Sequence, residues 1–344
     1  MFAVSRAYRT TGCRAGLHSG TRKYVIRDMT KLDGDAVSKL GKFQLARLLS
    51  ELEQQWGRHK QYGDYAGMLD DCLHEGTGHV VGFTGPPGVG KSTLTGQLVK
   101  KWREQGKSVS VLAIDPSSHK TRGALLGDRT RMDLDADDDK IFTRSLAARD
   151  RLGGLSEFAI LALVVLRRCF DKVLLETVGI GQSETEISYV ADTVVYLAQP
   201  GSGDSLQYMK AGVMEVPDIC VVTKADLGPL AQKTSADLQG ALGITGKKHG
   251  WNTPVLLVSV AHQVGLDELC QQIDSHGCGQ TDHNQQRHQL AQHIMNMNLT
   301  MSFGKEGIRA LQPYWSTNEQ LKPFAAVDEL TKRMRQCLAS LQDF

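Results

Sequence analysis

Between the strand-like run Val80-Val81-Gly82-Phe83-Thr84 and a helical stretch that opens at Lys91 stands Gly85-Pro86-Pro87-Gly88-Val89-Gly90-Lys91-Ser92-Thr93, a full match to G-x-x-x-x-G-K-[ST]. Such a loop is a phosphate cradle. Its glycines let successive backbone N–H groups turn inward around phosphate oxygens, Lys91 reaches the β- and γ-phosphates, and the Ser92 hydroxyl can sit on Mg²⁺. The helix that follows points its positive end at the anion. A shorter Gly-rich match could be a plain surface turn, whereas nine residues set between a strand and a helix point to a bound nucleoside triphosphate. The motif also constrains the fold, because it needs a buried strand to enter and a helix to leave.

The pattern after this loop alternates: helix 91–105, strand 108–115, a polar loop, strand 141–145, helix 154–169, strand 172–177, strand 193–198, helix 204–215, strand 219–223 and strand 255–260. Apolar strands punctuated by helices predict an α/β fold of the P-loop NTPase type, a doubly wound, mostly parallel sheet. Ahead of it, Val37, Leu40, Phe43, Leu45, Leu48, Leu49, Leu52 and Trp56 recur at helical spacing, predicting one amphipathic helix over 35–57. Beyond Gly265 the chain turns helical again over 266–276, 283–301 and 324–341, with Gly304, Gly307 and Pro313 separating the last two. The expected organisation is a basic tail over 1–28, a helical N-terminal extension over 29–78, the nucleotide domain over 79–264 and a helical C-terminal extension over 265–344.

With 344 residues, 41% hydrophobic and 23% charged, the chain can bury a full core. Its 40 basic and 38 acidic residues create no global pull toward nucleic acid or an acidic membrane. The longest apolar stretch, Phe158 to Leu166, is too short to span a bilayer. Seven cysteines without a C-x-x-C pair argue against a disulfide framework and for a reducing compartment. Residues 1–27 carry six basic residues and no acid, a composition shared by transit peptides and by disordered tails, and Met29 is an alternative start. The expected location is cytoplasmic, or the mitochondrial matrix if this segment is a targeting sequence.

Thr223-Lys224-Ala225-Asp226 follows the apolar run Ile219-Cys220-Val221-Val222, where a base-reading T/N-K-x-D element would stand. A carboxylate there pairs with the N1–H and 2-amino donors of guanine, which adenine cannot offer, so Asp226 would select GTP. Taken alone, Lys-Ala-Asp also reads as a helix start with an Asp cap. Ser259-Val260-Ala261, ending the next strand, is placed to back the same base, although by itself the tripeptide is ordinary loop. The strand Val173-Leu174-Leu175 ends in Glu176-Thr177-Val178-Gly179, the position of a D-x-x-G element whose acid orients Mg²⁺ or its waters. The residue after that Gly is Ile180 rather than a water-orienting Gln, and the nearest amide is Gln182, so intrinsic hydrolysis should be slow. Asp115 and Asp128 can ligate Mg²⁺ directly or through water; a helix cap and a surface carboxylate are the plain alternatives. Pro200-Gly201-Ser202-Gly203-Asp204, with Lys210 beyond it, is a further candidate for a segment that reshapes between nucleotide states.

Together, GFTGPPGVGKST, LAIDPSS, LLGDRTRM, LGGL, ETVGIGQSE, PGSGD-S-LQ-MKAG and TKAD resemble the methylmalonyl-CoA mutase-associated GTPases, chaperones of that cobalamin enzyme. The likeness runs from about Asp33 to Arg335, and ETVGIGQSE and IDPSS are its most specific parts. The family has also been labelled as an arginine/ornithine transport ATPase or kinase, a label that Asp226 argues against. The resemblance implies a homodimer built partly by the terminal helices, GTP and Mg²⁺ in each subunit, and three switch segments. It implies Mg²⁺ or its waters on Asp115, Asp128 and Glu176, with Gln182 and Lys210 in the second and third switches. It further implies that nucleotide state is coupled to loading of adenosylcobalamin onto the mutase and to removal of damaged cofactor. Thr223 departs from the more usual Asn, and the segment before the phosphate loop differs from many relatives.

The competing class is a GTPase metallochaperone for a nickel or other metal enzyme, suggested by Cys270, His276, Cys278, His283, His288 and His293. The last three are spaced by five, which walks around a helix instead of stacking one face, and no Cys pair has zinc spacing. A binding module without turnover is the other alternative, because of Ile180. The expected chemistry is in-line attack of water on the γ-phosphate, with Lys91 and Mg²⁺ absorbing charge and Ser92 plus the acids fixing the metal.

Overall fold

The computed structural model describes residues 28–59, 61–116, 132–148, 155–177, 183–201, 215–245, 250–279, 283–311 and 322–341. In chain order these form α1 (Gly34–Ser38), α2 (Lys42–His59), α3 (Ala66–Glu75), β1 (His79–Thr84), α4 (Lys91–Glu104), β2 (Val109–Pro116), β3 (Ile141–Ala148), α5 (Glu157–Cys169), β4 (Lys172–Glu176), α6 (Ser183–Val190), β5 (Thr193–Ala198), β6 (Ile219–Val222), α7 (Pro229–Thr245), β7 (Val255–Leu257), α8 (Leu266–Gly279), α9 (His283–Leu311) and α10 (Pro323–Leu341). The strands make one sheet in the order β3-β2-β4-β1-β5-β6-β7. Every neighbouring pair is parallel, so the sheet goes further than the mostly parallel one expected.

Apolar residues alternate between two layers along each strand, as a strand covered on both faces requires. Val81 and Phe83 of β1 pack with Leu94, Leu98 and Trp102 of α4 and with Leu269 and Ile273 of α8. Val80, Val173 and Val194 face the other layer, a single core shared by α2, α3, α5, α9 and α10. Residues 158–166 of α5 are buried throughout, which explains an apolar run that lacks helical amphipathicity. Among the described residues no helix is long and apolar enough to cross a membrane.

Several elements differ from the sequence expectation. The single helix over 35–57 is two helices, interrupted at Lys39–Gly41; the Asp33 side chain accepts from Ala36 N at 2.8 Å to start the first, and Gln44 Oε1 accepts from Gly41 N at 3.2 Å beside the second. Helices α3, α6 and α7 were not expected, being short or of weak periodicity. The strand expected over 255–260 ends at Leu257, after which Ser259 pairs back on Val264 through an isolated antiparallel bridge. Gly304 adopts φ 69°, ψ −174° inside α9, the break expected there. The helix expected over 204–215 lies outside the described residues but for Glu215.

The two ends of the chain are stapled to one another. Asp70 on α3 accepts from Phe324 N and Ala325 N, both at 3.1 Å, capping α10, while Asp328 on α10 accepts from Tyr62 N at 3.0 Å and Gly63 N at 2.6 Å. Tyr62 stacks on Trp56 and meets Phe324 edge-on, with centroids 5.0 and 4.9 Å apart. Asp70 is buried, and that burial pushes its carboxyl up to about 6 against the opposing pull of the two backbone donors. A carboxyl that binds its proton more tightly folded than unfolded adds stability below its ordinary value of 3.8, and this contribution is lost as pH rises through about 6. Wild type should therefore lose on the order of 3 kcal/mol relative to Asp70→Asn between pH 3.5 and pH 7, read from urea titrations at each pH. A constant difference would contradict the assignment.

At the foot of the sheet a buried relay joins β4, β1 and β5 to α8 and to Asp218, just before β6. Lys172 Nζ, which can only donate, lies 2.9 Å from His79 Nδ1 and so makes that nitrogen the acceptor. His79 Nε2–H then donates to Thr193 Oγ1 at 2.8 Å, and the Thr193 hydroxyl donates to His276 Nδ1 at 2.8 Å. The remaining His276 Nε2–H faces Asp218 Oδ1 at 3.6 Å. One ammonium thus sets the tautomer of both imidazoles.

Candidate functional site

The upper ends of β1, β2, β4, β5 and β6 open on one crevice, the place where a doubly wound sheet binds its ligand. Gly85 leaves β1 at φ +144°, and a Cβ there would stand 2.4 Å from Leu197 O, so the backbone approach excludes any other residue. Gly88 and Gly90 also take positive φ, and Gly90 hands the chain to α4. Val89 is buried beneath the loop, while Pro87 and Thr93 are exposed. Lys91 is buried, and its ammonium donates to Gly85 O at 2.8 Å and Pro86 O at 3.1 Å, spanning the loop.

Ser92 Oγ donates to Glu176 Oε1 at 2.7 Å. Glu176 closes β4 in register with Phe83 of β1 and Ala113 of β2, and Asp115 lies two residues beyond Ala113. Thr177 locks the turn after it, its N and Oγ1 both donating to Phe83 O, at 3.3 and 3.1 Å. A hydroxyl and two carboxylates at neighbouring strand ends form a hard-oxygen donor set that fits Mg²⁺. Asp128, Gln182 and Lys210 lie outside the described residues.

The other end of the crevice is built from β6 and the turn after β7. Thr223 donates its N–H to Ala198 O at 2.9 Å and its hydroxyl to Val89 O at 2.8 Å, tying the end of β6 to the end of β5 and to the phosphate loop. The Thr found in place of Asn therefore still ties the strand ends together through local hydrogen bonds. Lys224 takes the left-handed conformation, φ 52°, ψ 44°, and reaches Gln199 Oε1 at 3.0 Å and Gly88 O at 3.4 Å. Buried Ser259 donates to Asp226 Oδ1 at 2.6 Å, and this hydrogen bond holds the exposed Asp226 carboxyl below its ordinary range. Ala225 N donates to Val258 O at 3.1 Å, fixing the two turns together; Val260 and Ala261 lie in the second of them. Gln199 escaped the sequence reading, whose only signal was its place between a strand and the Pro200-Gly201 turn.

The family model for methylmalonyl-CoA mutase-associated GTPase MeaB matches residues 45–305. The chain belongs to the MeaB family. A Pyrococcus abyssi protein named as a GTPase is 45% identical over 206 residues, covering 58% of this chain and 63% of its own length. The mouse methylmalonic aciduria type A homolog, named as mitochondrial, is 38% identical over 194 residues, covering 55% of this chain and 46% of its own. The matched regions thus span less than two thirds of either relative. A solved LAO/AO transport system kinase superposes with TM-score 0.61 at 23% identity over 88% of this chain and 96% of its own, a likeness of fold.

In this MeaB chain three of the C-terminal histidines have partners of other kinds. His276 belongs to the buried relay, His288 Nε2 contacts Gln292 Nε2 at 2.8 Å, and His293 stacks on Tyr189 of α6 at 4.9 Å. Cys270 is buried and Cys278 exposed on α8. The described residues do not bring these side chains together as a ligand cluster.

Proposed function

We propose that this MeaB-family chain hydrolyses GTP and serves a cobalamin-dependent acyl-CoA mutase, methylmalonyl-CoA mutase first among them, as a chaperone. Nucleotide state would then govern adenosylcobalamin loading and the protection or reactivation of the mutase. The observation that carries the chemical part is the joining, in one crevice, of a phosphate loop whose Ser92 meets Glu176 with a base end where Ser259 orients Asp226. The family match supports the client.

The two oxygens of Asp226 accept from guanine N1–H and the 2-amino group, donors that adenine lacks. The backbone N–H groups of Gly88 to Lys91 hold the phosphates, and Lys91 exchanges the carbonyls of Gly85 and Pro86 for β- and γ-phosphate oxygens. Its charge offsets the negative charge that gathers on the leaving oxygen as water attacks in line. Ser92, Asp115, Asp128 and Glu176 would hold Mg²⁺, which would supply further charge neutralisation on those oxygens. Gln182 is the proposed source of water orientation and Lys210 of a further contact in the third switch. Ile180, where a water-orienting Gln stands in Ras-type enzymes, makes turnover slow until a partner completes the site. A homodimer through the terminal helices and a cytoplasmic location, or a matrix one if residues 1–28 target the chain, complete the proposal.

The test is the GTP hydrolysis rate of the purified protein, alone and with the mutase, with ATP as control. A slow, GTP-specific rate that the mutase raises severalfold supports the whole proposal. GTP turnover indifferent to the mutase removes the client, and equal turnover of ATP removes the guanine assignment.

A further inference from the structure

We infer that Gln199 is a positioning residue for guanine recognition, acting through Lys224. The inference rests on the base-reading assignment just made and adds a residue to it. Lys224 carries a flexible, exposed ammonium on a four-carbon stem, and such a group has many rotamers to lose before it can help hold a ligand. Two oxygens restrict it: Gly88 O at 3.4 Å, in the phosphate loop, and Gln199 Oε1 at 3.0 Å, at the end of β5. The Gln199 contact is the shorter of the two.

The backbone around Gln199 is itself restricted. β5 and β6 are in register at Ala198 and Val222, and Thr223 N extends that pairing to Ala198 O at 2.9 Å. Gln199 directly follows β5, and the proline after it, Pro200, biases its backbone toward the extended region. Gly201 then turns the chain away at φ +74°, a conformation suited to glycine. Across from it, Lys224 stands in left-handed backbone that few non-glycine residues adopt, a strain tolerated where a side chain must be aimed. The carboxamide and the ammonium thus meet on two backbones that are both held, and Thr223, the neighbour of Lys224, clasps Val89 O. Binding of the base and binding of the phosphates are joined at one lysine, which Gln199 keeps in place before the nucleotide arrives.

The test uses the full chain and three variants. Gln199→Met keeps the length and removes the acceptor; Gln199→Glu keeps an oxygen acceptor toward Lys224; Asp226→Asn controls for the base-reading assignment. Affinity for a fluorescent GDP analogue, KM and kcat for GTP, and thermal unfolding are measured for each. Gln199→Met should weaken GDP binding and raise KM by about three- to tenfold with kcat and unfolding unchanged, and Gln199→Glu should restore binding to within about twofold. Wild-type affinity in Gln199→Met, or loss of kcat and stability without rescue by Glu, overturns the inference. Undiminished GTP preference in Asp226→Asn overturns the base-reading assignment beneath it, whatever Gln199 does.

Discussion

Lys91→Ala is expected to reduce GTP turnover by at least about a thousandfold, roughly 4 kcal/mol of transition-state stabilisation. The size follows from where the ammonium sits. It is buried at the loop and already anchored on Gly85 O and Pro86 O, so in the proposed complex it would meet phosphate oxygens where little bulk water reaches. Alanine leaves the cradle itself intact, because the positive φ at Gly85, Gly88 and Gly90 does not depend on the lysine. Nucleotide binding should therefore fall less than turnover. Single-turnover hydrolysis together with GDP titration separates the two; a variant within tenfold of wild type in turnover would remove Lys91 from the chemistry.

Asp226→Asn should cost about a hundredfold in GTP affinity, near 3 kcal/mol, and should improve binding of xanthosine triphosphate. In the proposed recognition the carboxylate offers guanine two acceptor oxygens; an amide offers one and turns a donor toward the 2-amino group. Xanthine carries a carbonyl at that position, which the new N–H can meet. Ser259 remains able to hold the Asn oxygen, so the turn after β7 should survive the change. Because the Ser259 hydroxyl holds the Asp226 carboxyl below its ordinary range, wild-type guanine recognition should be flat with pH between about 5 and 8, where the carboxylate is ionised and the guanine N1–H is still in place. Competition titrations with the three nucleotides decide the matter. Unaltered GTP preference in the variant would show that the guanine is read elsewhere.

Much of this architecture was legible because the informative residues are local. The phosphate loop declares its own conformation: Gly85 must be glycine for Leu197 to pass, and Lys91 and Ser92 are fixed by the turn that the glycines make. The strands were legible for a related reason, since burial on both faces leaves continuous apolar runs such as Ile219-Cys220-Val221-Val222. Helix α7 was not, because Gly240 and Gly243 and a weak apolar stripe leave its sequence close to a loop pattern, and its helicity comes from packing Ala231 and Leu238 on Tyr196 and Cys220. The Lys39–Gly41 break was hidden for the opposite reason: the apolar spacing runs straight through it, while the Lys39 N–H closes the first helix on Ala36 O and Val37 O and the Gln44 side chain accepts from Gly41 N beside the second. Gln199 could not be found from spacing at all. Its contact with Lys224, 25 residues on in sequence, joins the segments that follow β5 and β6, a relation that exists only once the sheet has formed.

The staple between α3 and α10 sets a timetable for biosynthesis. Asp70 and the backbone it caps are 254 residues apart. At ribosomal rates of roughly 5 to 20 residues per second, the nascent chain carries α3 for about ten to fifty seconds before the helix that Asp70 caps is even synthesised. Throughout that interval Trp56 and Tyr62 lack the cover of Phe324, and the Asp70 carboxylate lacks the donors that it meets in the finished fold. The N-terminal layer is thus made first and completed last. A stop codon just before Pro323 would release a chain with its nucleotide sheet entire and an apolar face left open, a species marked for aggregation or degradation rather than for GTP.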